Sequence, residues 1–408
     1  MLVNARDQSI HVRKLAGQFL VISTEIRFQI FSKYLRELVD TMLFLCSDES
    51  EDPCLDAFEF WYIYCKNEDA DVNLVWEKVS VILPLLLKQM KYTDEELSMI
   101  LLESQDDSVP DRPEDIRPFT GSRQKSVDID GDDYSEDQDE DVLDSGLDDY
   151  DTSGMWSVRK FAARSFEGLS FRFGDAILPL VLPLIEKCLN SPDDVVKESG
   201  VLAVGAISEG CIKGLEAHLP AVIQLMCSFL ISDSSSIVRS ISAWTLGRYL
   251  RWITHEGSRL FPDVLRCFLT AAIDPNKQVQ EASCSAITGL VEECHEILLP
   301  FLNDITQTFI AATTRYQEKN RVILYDSIAS FAENFGQALI ESDYTKILVP
   351  DLMRRWFALP ITEKSQFSIM ECLNFVCRGL GPAFFPMVSS CVDRCLQVIE
   401  IAPTVVLC

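Results

Sequence analysis

Apolar residues recur along most of the chain at the three- and four-residue spacing of amphipathic helices, while strand-like alternation, Asn-Gly hairpins and βαβ spacing are missing. The helices come in two alternating classes. One class opens with a short acidic or polar turn, then a valine beside a polar residue, then a run rich in small side chains. It reads Trp156-Ser-Val-Arg-Lys160, Asp193-Asp-Val-Val-Lys-Glu198, Ser236-Ile-Val-Arg-Ser240, Gln278-Val-Gln-Glu-Ala282 and Asn320-Arg-Val-Ile-Leu324. With Val158, Val196, Val238, Val279 and Val322 as register marks, the intervals are 38, 42, 41 and 43 residues. That is the period of units built from a helix pair, roughly 40 to 47 residues. Between the marks lies the other class, announced by proline or an acidic turn: Ile177–Leu189, Pro220–Ile231, Pro262–Ala272 and Pro300–Thr313. The pattern continues backward through Val12–Ile22, Phe31–Leu45, Pro53–Cys65 and Leu74–Met90. Forward it runs through Leu348–Ala358, Gln366–Gly379 and Phe385–Glu400, for about eight pairs in all.

A single helix pair cannot bury its own apolar face, so such units must stack. The expected fold is therefore all-α, a HEAT-repeat superhelical solenoid whose second helices line an extended concave side. One stretch breaks the pattern, from about residue 105 to 154. Val127–Thr152 holds thirteen Asp and Glu among twenty-six residues and no Lys or Arg, which predicts a mobile, disordered acidic loop inserted within one repeat. The expected organisation is HEAT repeats over 1–104, the loop over 105–154, and HEAT repeats forming the binding surface over 155–408. The chain starts in a second-helix signature, Asp7-Gln-Ser-Ile-His-Val-Arg13, and ends in Ile401-Ala-Pro-Thr-Val-Val-Leu-Cys408 without a polar capping repeat. Both ends read as cuts in a longer array.

The formal net charge of −27 repels phosphate backbones and anionic membrane surfaces, so basic proteins are the expected partners and direct nucleic-acid binding is not. Fourteen cysteines, with no CxxC pair and many inside apolar helical runs, read as small buried hydrophobes of a reducing compartment. The apolar stretches Val81–Leu87 and Ala176–Ile185 are interrupted by proline and too short to span a bilayer, so no membrane insertion is expected. Four histidines stand without an i,i+4 partner, and no phosphate loop, dinucleotide fingerprint or nucleophile elbow occurs. Cys391 and Cys395 read as core thiols. No active site, metal or cofactor is expected.

The candidate chemistry lies on the second helices. Ile237, Ile241, Trp244, Arg248 and Trp252 fall on one helical stripe, with tryptophan and arginine at i and i+4 able to stack. Leu324, Ile328, Phe331 and Phe335 form an apolar face that leaves Asp326, Ser330 and Glu333 toward solvent. Val279, Ala282, Ala286 and Leu290 pack inward and leave Glu281, Ser285, Thr288 and Glu292 as a polar stripe; Glu167 sits likewise opposite Val158, Ala162, Ser165 and Leu169. Each such residue taken singly reads as packing or solvation. Together they describe an acidic groove with one aromatic–arginine spot, suited to an extended basic peptide that gains order on binding. A HEAT scaffold for multiprotein assembly and an acidic chaperone acting through Val127–Thr152 stand as alternatives.

The run Val195-Val-Lys-Glu-Ser-Gly-Val-Leu-Ala-Val-Gly-Ala-Ile-Ser-Glu-Gly-Cys211 closely resembles the transportin, or karyopherin-β2, family of nuclear import receptors. So do Val238-Arg-Ser-Ile-Ser-Ala-Trp-Thr-Leu-Gly-Arg248, Val279-Gln-Glu-Ala-Ser-Cys-Ser-Ala286 and Ile323-Leu-Tyr-Asp-Ser-Ile328. Phe58-Glu-Phe-Trp61, Met90-Lys-Tyr92 and Glu114-Asp-Ile-Arg117 resemble it as well. The resemblance implies a receptor, shuttling between cytoplasm and nucleus past nucleoporins, for cargoes with basic proline–tyrosine localisation signals, often RNA-binding proteins. Ran in its GTP form would release them, with the acidic loop coupling the two events. The proline–tyrosine end would dock on Leu202, Ile241, Trp244 and Arg248 near Glu167, Glu281 and Glu292, and the basic portion on Asp326 and Glu333. Arg164 departs from the family, which has a small residue there beside the tyrosine pocket.

Overall fold

The computed structural model describes residues 1–48, 50–67, 70–102, 106–111, 157–361, 363 and 365–405. Among them every named element is helical, and the β pairing is one isolated bridge between Asp106 and Asn276. The chain divides into two compact units. The first takes in Met1–Leu102 and the chain up to Phe229; the second takes in the described residues 106–111 and everything from Leu230 onward. Most of the predicted acidic loop, including Glu114-Asp-Ile-Arg117 and Val127–Thr152, lies outside the described residues. Residues 106–111 do not, and they pack on the second unit.

The first unit contains α1 (Ile10–Phe31), α2 (Leu35–Leu45), α3 (Glu51–Lys66), α4 (Val72–Trp76), α5 (Val79–Gln89), α6 (Asp94–Leu102), α7 (Val158–Phe173), α8 (Leu178–Leu189), α9 (Asp194–Ala206) and α10 (Ile212–Leu215). The boundary falls inside α11 (Leu219–Ser232). Helices α1, α3, α7 and α9 pack in series, with α2 against α3 and α8 against α9. Thus α7, the first helix after the insertion, packs on α3 and α5 from before it. The Ser165 hydroxyl donates to the Phe58 carbonyl at 3.0 Å, and Arg159 Nη1 donates to the Met90 carbonyl at 2.7 Å. Both flanks of the insertion build one core.

The second unit contains α12 (Ser236–Arg248), α13 (Leu250–Thr254), α14 (Phe261–Ala271), α15 (Lys277–Glu293), α16 (His295–Leu298), α17 (Leu302–Arg315), α18 (Glu318–Leu339), α19 (Val349–Ala358), α20 (Gln366–Leu380) and α21 (Phe385–Val405). Helices α12, α15, α18 and α20 pack side by side as one layer, and α14, α17 and α19 lie against them as the other. The short α10, α13 and α16 each follow a second helix and are single turns, too brief to leave a periodic signal in the sequence.

The register marks now have a physical meaning. The polar turn is a helix cap: Asp193 Oδ1 accepts from the Val195 and Val196 N–H groups, Asn276 Oδ1 from those of Gln278 and Val279, and Ser157 Oγ from that of Lys160. Of the mark valines, Val158, Val238 and Val279 are buried in the core, and Val196 and Val322 are half-buried. Lys197, Gln280 and Ile323 follow three of the marks, and where an arginine follows, it reaches one repeat onward. Arg239 Nε and Nη2 donate to the two Asp274 oxygens at 3.0 and 3.1 Å, while Nη1 donates to the carbonyls of Asp233 and Ser234. Arg13 repeats the geometry with Asp48, at 2.6 and 2.9 Å, and with the carbonyls of Asp7 and Gln8. Arg159 is a variant. Its Nη2 lies 2.5 Å from Glu198 Oε1, its guanidinium sits 3.9 Å over the Tyr92 ring, and both side chains are buried.

Two stretches, Val158–Leu189 and Gln366–Glu400, are long and apolar enough to cross a membrane by length and composition, which the sequence reading did not anticipate. Each is broken by a glycine at positive φ, Gly174 and Gly381, into two helices with a 3-10 turn between them. Only glycine takes that conformation without strain, so the chain reverses there.

Helices α18 and α20 approach through glycines. A Cβ added at Gly336 would collide with the Gly379 carbonyl, and one at Gly379 with the Ala332 carbonyl. Gly336→Ala and Gly379→Ala are each expected to cost about 1–3 kcal/mol by forcing the backbones apart, read as a lowered denaturant midpoint. Glu198 yields a second expectation. Burial pushes its carboxyl up to about 7 against the pull of Arg159. The native chain therefore binds a proton there more tightly than the unfolded chain does. The resulting stabilisation is full below the unfolded value of 4.5 and is lost as pH rises toward 7. Wild type should accordingly lose stability relative to Glu198→Gln, which has no carboxyl to ionise, as pH rises across that window, and a difference independent of pH would contradict it.

Candidate peptide-binding face

Within the second unit the predicted residues fall on consecutive members of one layer: Ile241, Trp244 and Arg248 on α12, Glu281 and Glu292 on α15, Asp326 and Glu333 on α18. Hydrogen bonds hold the layer in register. Ser240 donates to the Gln278 carbonyl, Asn320 to the Lys277 carbonyl, and the Thr288 and Ser327 hydroxyls meet at 2.6 Å. The Arg248 guanidinium stands 5.9 Å from the Trp244 ring centroid, as the i,i+4 spacing predicts, and both side chains are half-buried. Ser330, on α18, donates to Glu292 Oε1 on α15 at 2.9 Å. Glu281 and Asp326 both act on the buried Cys284 thiol, which burial pushes up to about 11.

The carboxylates differ in how available they are. Glu292 and Glu333 are exposed, Glu281 and Asp326 half-buried. Glu333 Oε1 lies 3.8 Å from Arg378 Nη1, so part of its charge is already offset from α20. The apolar faces match the periodicity: Leu324, Ile328, Phe331 and Phe335 are buried, as are Val279, Ala286 and Leu290, with Ala282 half-buried. Ser330, expected at the surface, is buried on its bond to Glu292.

Three expectations are corrected. The stripe does not run to Trp252, because α12 ends at Arg248 and a bend at Tyr249 starts α13. Ile241 is fully buried and so backs the face without forming its surface. Glu167 and Leu202 belong to the first unit and are buried at 3% and 1% exposure. Helix α7 is buried on every side from Val158 to Ser170, so Glu167 has no solvent-facing stripe. Its Oε2 lies 3.9 Å from Nη1 of Arg164, itself 1% exposed. Arg164 is thus the near neighbour of this carboxylate, a pairing that helical i,i+3 spacing could have disclosed.

The cysteines are packing residues. Among the described residues all are free thiols, most of them buried, and burial raises Cys211 to about 12 and Cys391 to about 11. Cys391 donates to the Met353 thioether at 3.5 Å.

Residues 194–249 match the family model of the HEAT-like repeat. The chain is 35% identical to Transportin-1 of Mus musculus over 407 residues, which covers 97% of this chain and 44% of that protein. It is 36% identical to Transportin-1 of Oryza sativa subsp. japonica over 363 residues, 86% of this chain and 38% of that one. In fold it is similar to Kap95p, in a structure concerned with its binding to RanGDP, with a TM-score of 0.69 at 16% identity, over 98% of this chain and 44% of that one. The chain spans about half the length of the relatives it matches. A layered helix-pair fold and more than a third of its residues shared with transportins along nearly its whole length settle its kinship: the chain belongs to the transportin family.

Proposed function

We propose that this chain carries the cargo-binding part of a nuclear import receptor, and that the α12–α15–α18 face takes a basic proline–tyrosine localisation signal. The observation that carries the reading is the half-exposed Trp244–Arg248 stack on α12, in the same layer as carboxylates on the next two helices. An indole beside a guanidinium offers an apolar surface with donors for peptide carbonyls. Glu281, Glu292, Asp326 and Glu333 supply negative charge for the basic portion. Ile241, being buried, supports that surface from within the second unit, while Leu202 and Glu167 are buried in the first.

Family membership supports the rest of the proposal: shuttling between cytoplasm and nucleus, contact with nucleoporins, and release of cargo by Ran-GTP. The fold likeness to Kap95p, a protein described with RanGDP, points the same way. The alternative of a HEAT scaffold has no observation of its own here.

Two measurements test the reading. Trp244→Ala should weaken a basic proline–tyrosine peptide about ten- to thirtyfold, since a partly buried tryptophan anchor contributes about 1.4–2 kcal/mol; equal affinities would remove the pocket. Raising salt from about 50 to about 200 mM should weaken the wild-type complex. The slope of that loss should flatten in Glu292→Gln/Asp326→Asn, and an unaltered slope would detach the carboxylates from the basic portion.

A further inference from the structure

The arginine–aspartate joint is made at Arg13 and Arg239 and is not made where Lys197, Gln280 or Ile323 follows the mark valine; of these, Gln280 draws its acceptor from a distant segment. Gln280 follows Val279 where Arg13 and Arg239 follow their valines, and the same 35 residues onward the chain has Arg315 where Asp48 and Asp274 stand. An amide N–H facing a guanidinium is donor against donor, and both need an acceptor. Asp107 supplies it. Its Oδ2 accepts from Gln280 Nε2 at 3.0 Å and from Arg315 Nε. Gln280 Nε2 also donates to the Asp274 carbonyl at 2.7 Å, as Arg239 does to the Asp233 carbonyl six residues before it. The backbone of Asp107 is held too: its N–H donates to the Pro275 carbonyl at 2.9 Å, and its carbonyl accepts from Gln317 Nε2 at 2.7 Å.

Four residues further, Asp111 makes a second seat. Its Oδ1 accepts from Lys277 Nζ at 2.5 Å and its Oδ2 from the Lys319 N–H at 2.6 Å. Lys319 lies in the first turn of α18, whose own N-cap, Gln317, gives no side-chain cap. A carboxylate there satisfies an orphan donor and meets the positive end of the helix. Lys277 Nζ also donates to the Val109 carbonyl at 2.8 Å. The Lys277 and Asp111 side chains are 6% and 4% exposed, so this is a built, water-poor seat. Helices α15 and α18 are tied to each other independently, by Asn320 on the Lys277 carbonyl and Gln280 Oε1 and by Thr288 on Ser327.

We propose that Lys277, Gln280, Arg315 and the start of α18 form a carboxylate-peptide site, and that its resident ligand is the chain's own Asp106–Asp111. The segment is an internal ligand that completes the joint at Gln280, and the receiving surface keeps its fold when the segment leaves.

Hydrogen exchange on the full chain, comparing wild type with Asp107→Ala/Asp111→Ala and with Val109→Ala as control, tests this. The double variant should exchange about tenfold or more faster at the 106–111 amides and at Lys319, with the interiors of α15 and α18 unchanged and the control like wild type. A synthetic peptide of the Asp106–Asp111 sequence, in large excess at low salt, should restore slow exchange at Lys319 in the double variant, and the same peptide with Asp107 and Asp111 replaced by alanine should not. Unchanged exchange, or failure of the peptide to restore it, overturns the proposal. Loss of protection throughout α15 and α18 also overturns it, by making the segment part of the fold. The readout involves no cargo and so is separate from the proposed transport role.

Discussion

Each described unit depends on a fork. The arginine after a mark valine grips the aspartate one repeat onward with two nitrogens while its third nitrogen holds the two carbonyls of the turn before its own helix. A planar, permanently charged donor set is what such a joint requires, and lysine could not make it. Because the same group fixes the turn, the helix start and the next repeat, it sets the rotation of α1 and α12 relative to their neighbours. Helix rotation then decides which side chains reach the surface of the layer. The burial of Ile241 on α12 follows from that registry as much as from its own chemistry.

Where the fork is altered, the surroundings compensate. Arg159 meets a glutamate in place of aspartate, loses water on all sides and gains the Tyr92 ring and the Met90 carbonyl. Gln280 has no charge to offer and borrows an acceptor from a segment distant in sequence. Both departures lie beside the insertion or receive its first residues.

Much of this was legible in the sequence because helix pairs write a period into the chain. The boundaries of α3, α8, α14 and α19 lie within two residues of those expected from proline, caps and apolar spacing, and the Trp244–Arg248 contact follows from i,i+4 geometry alone. What escaped has physical causes. A helix wheel assumes one wet side, and α7 has none, so Glu167 was misplaced. It also assumes an unbroken axis, and the bend at Tyr249 removed Trp252 from the stripe. The seating of Asp107 and Asp111 was hidden because a run of acidic residues looks alike whether water or a lysine receives it.

Sequence separation sets these joints apart in time as well as in space. Fork contacts close over 35 residues and can form as soon as two neighbouring repeats exist. The seat of the 106–111 segment closes over 166 to 210 residues. A chain emerging from the ribosome makes these acidic residues long before the helices that receive them, so they stay hydrated until α15, α17 and α18 have been synthesised. Assembly of the repeats is therefore a local process, and docking of this segment its delayed, long-range step.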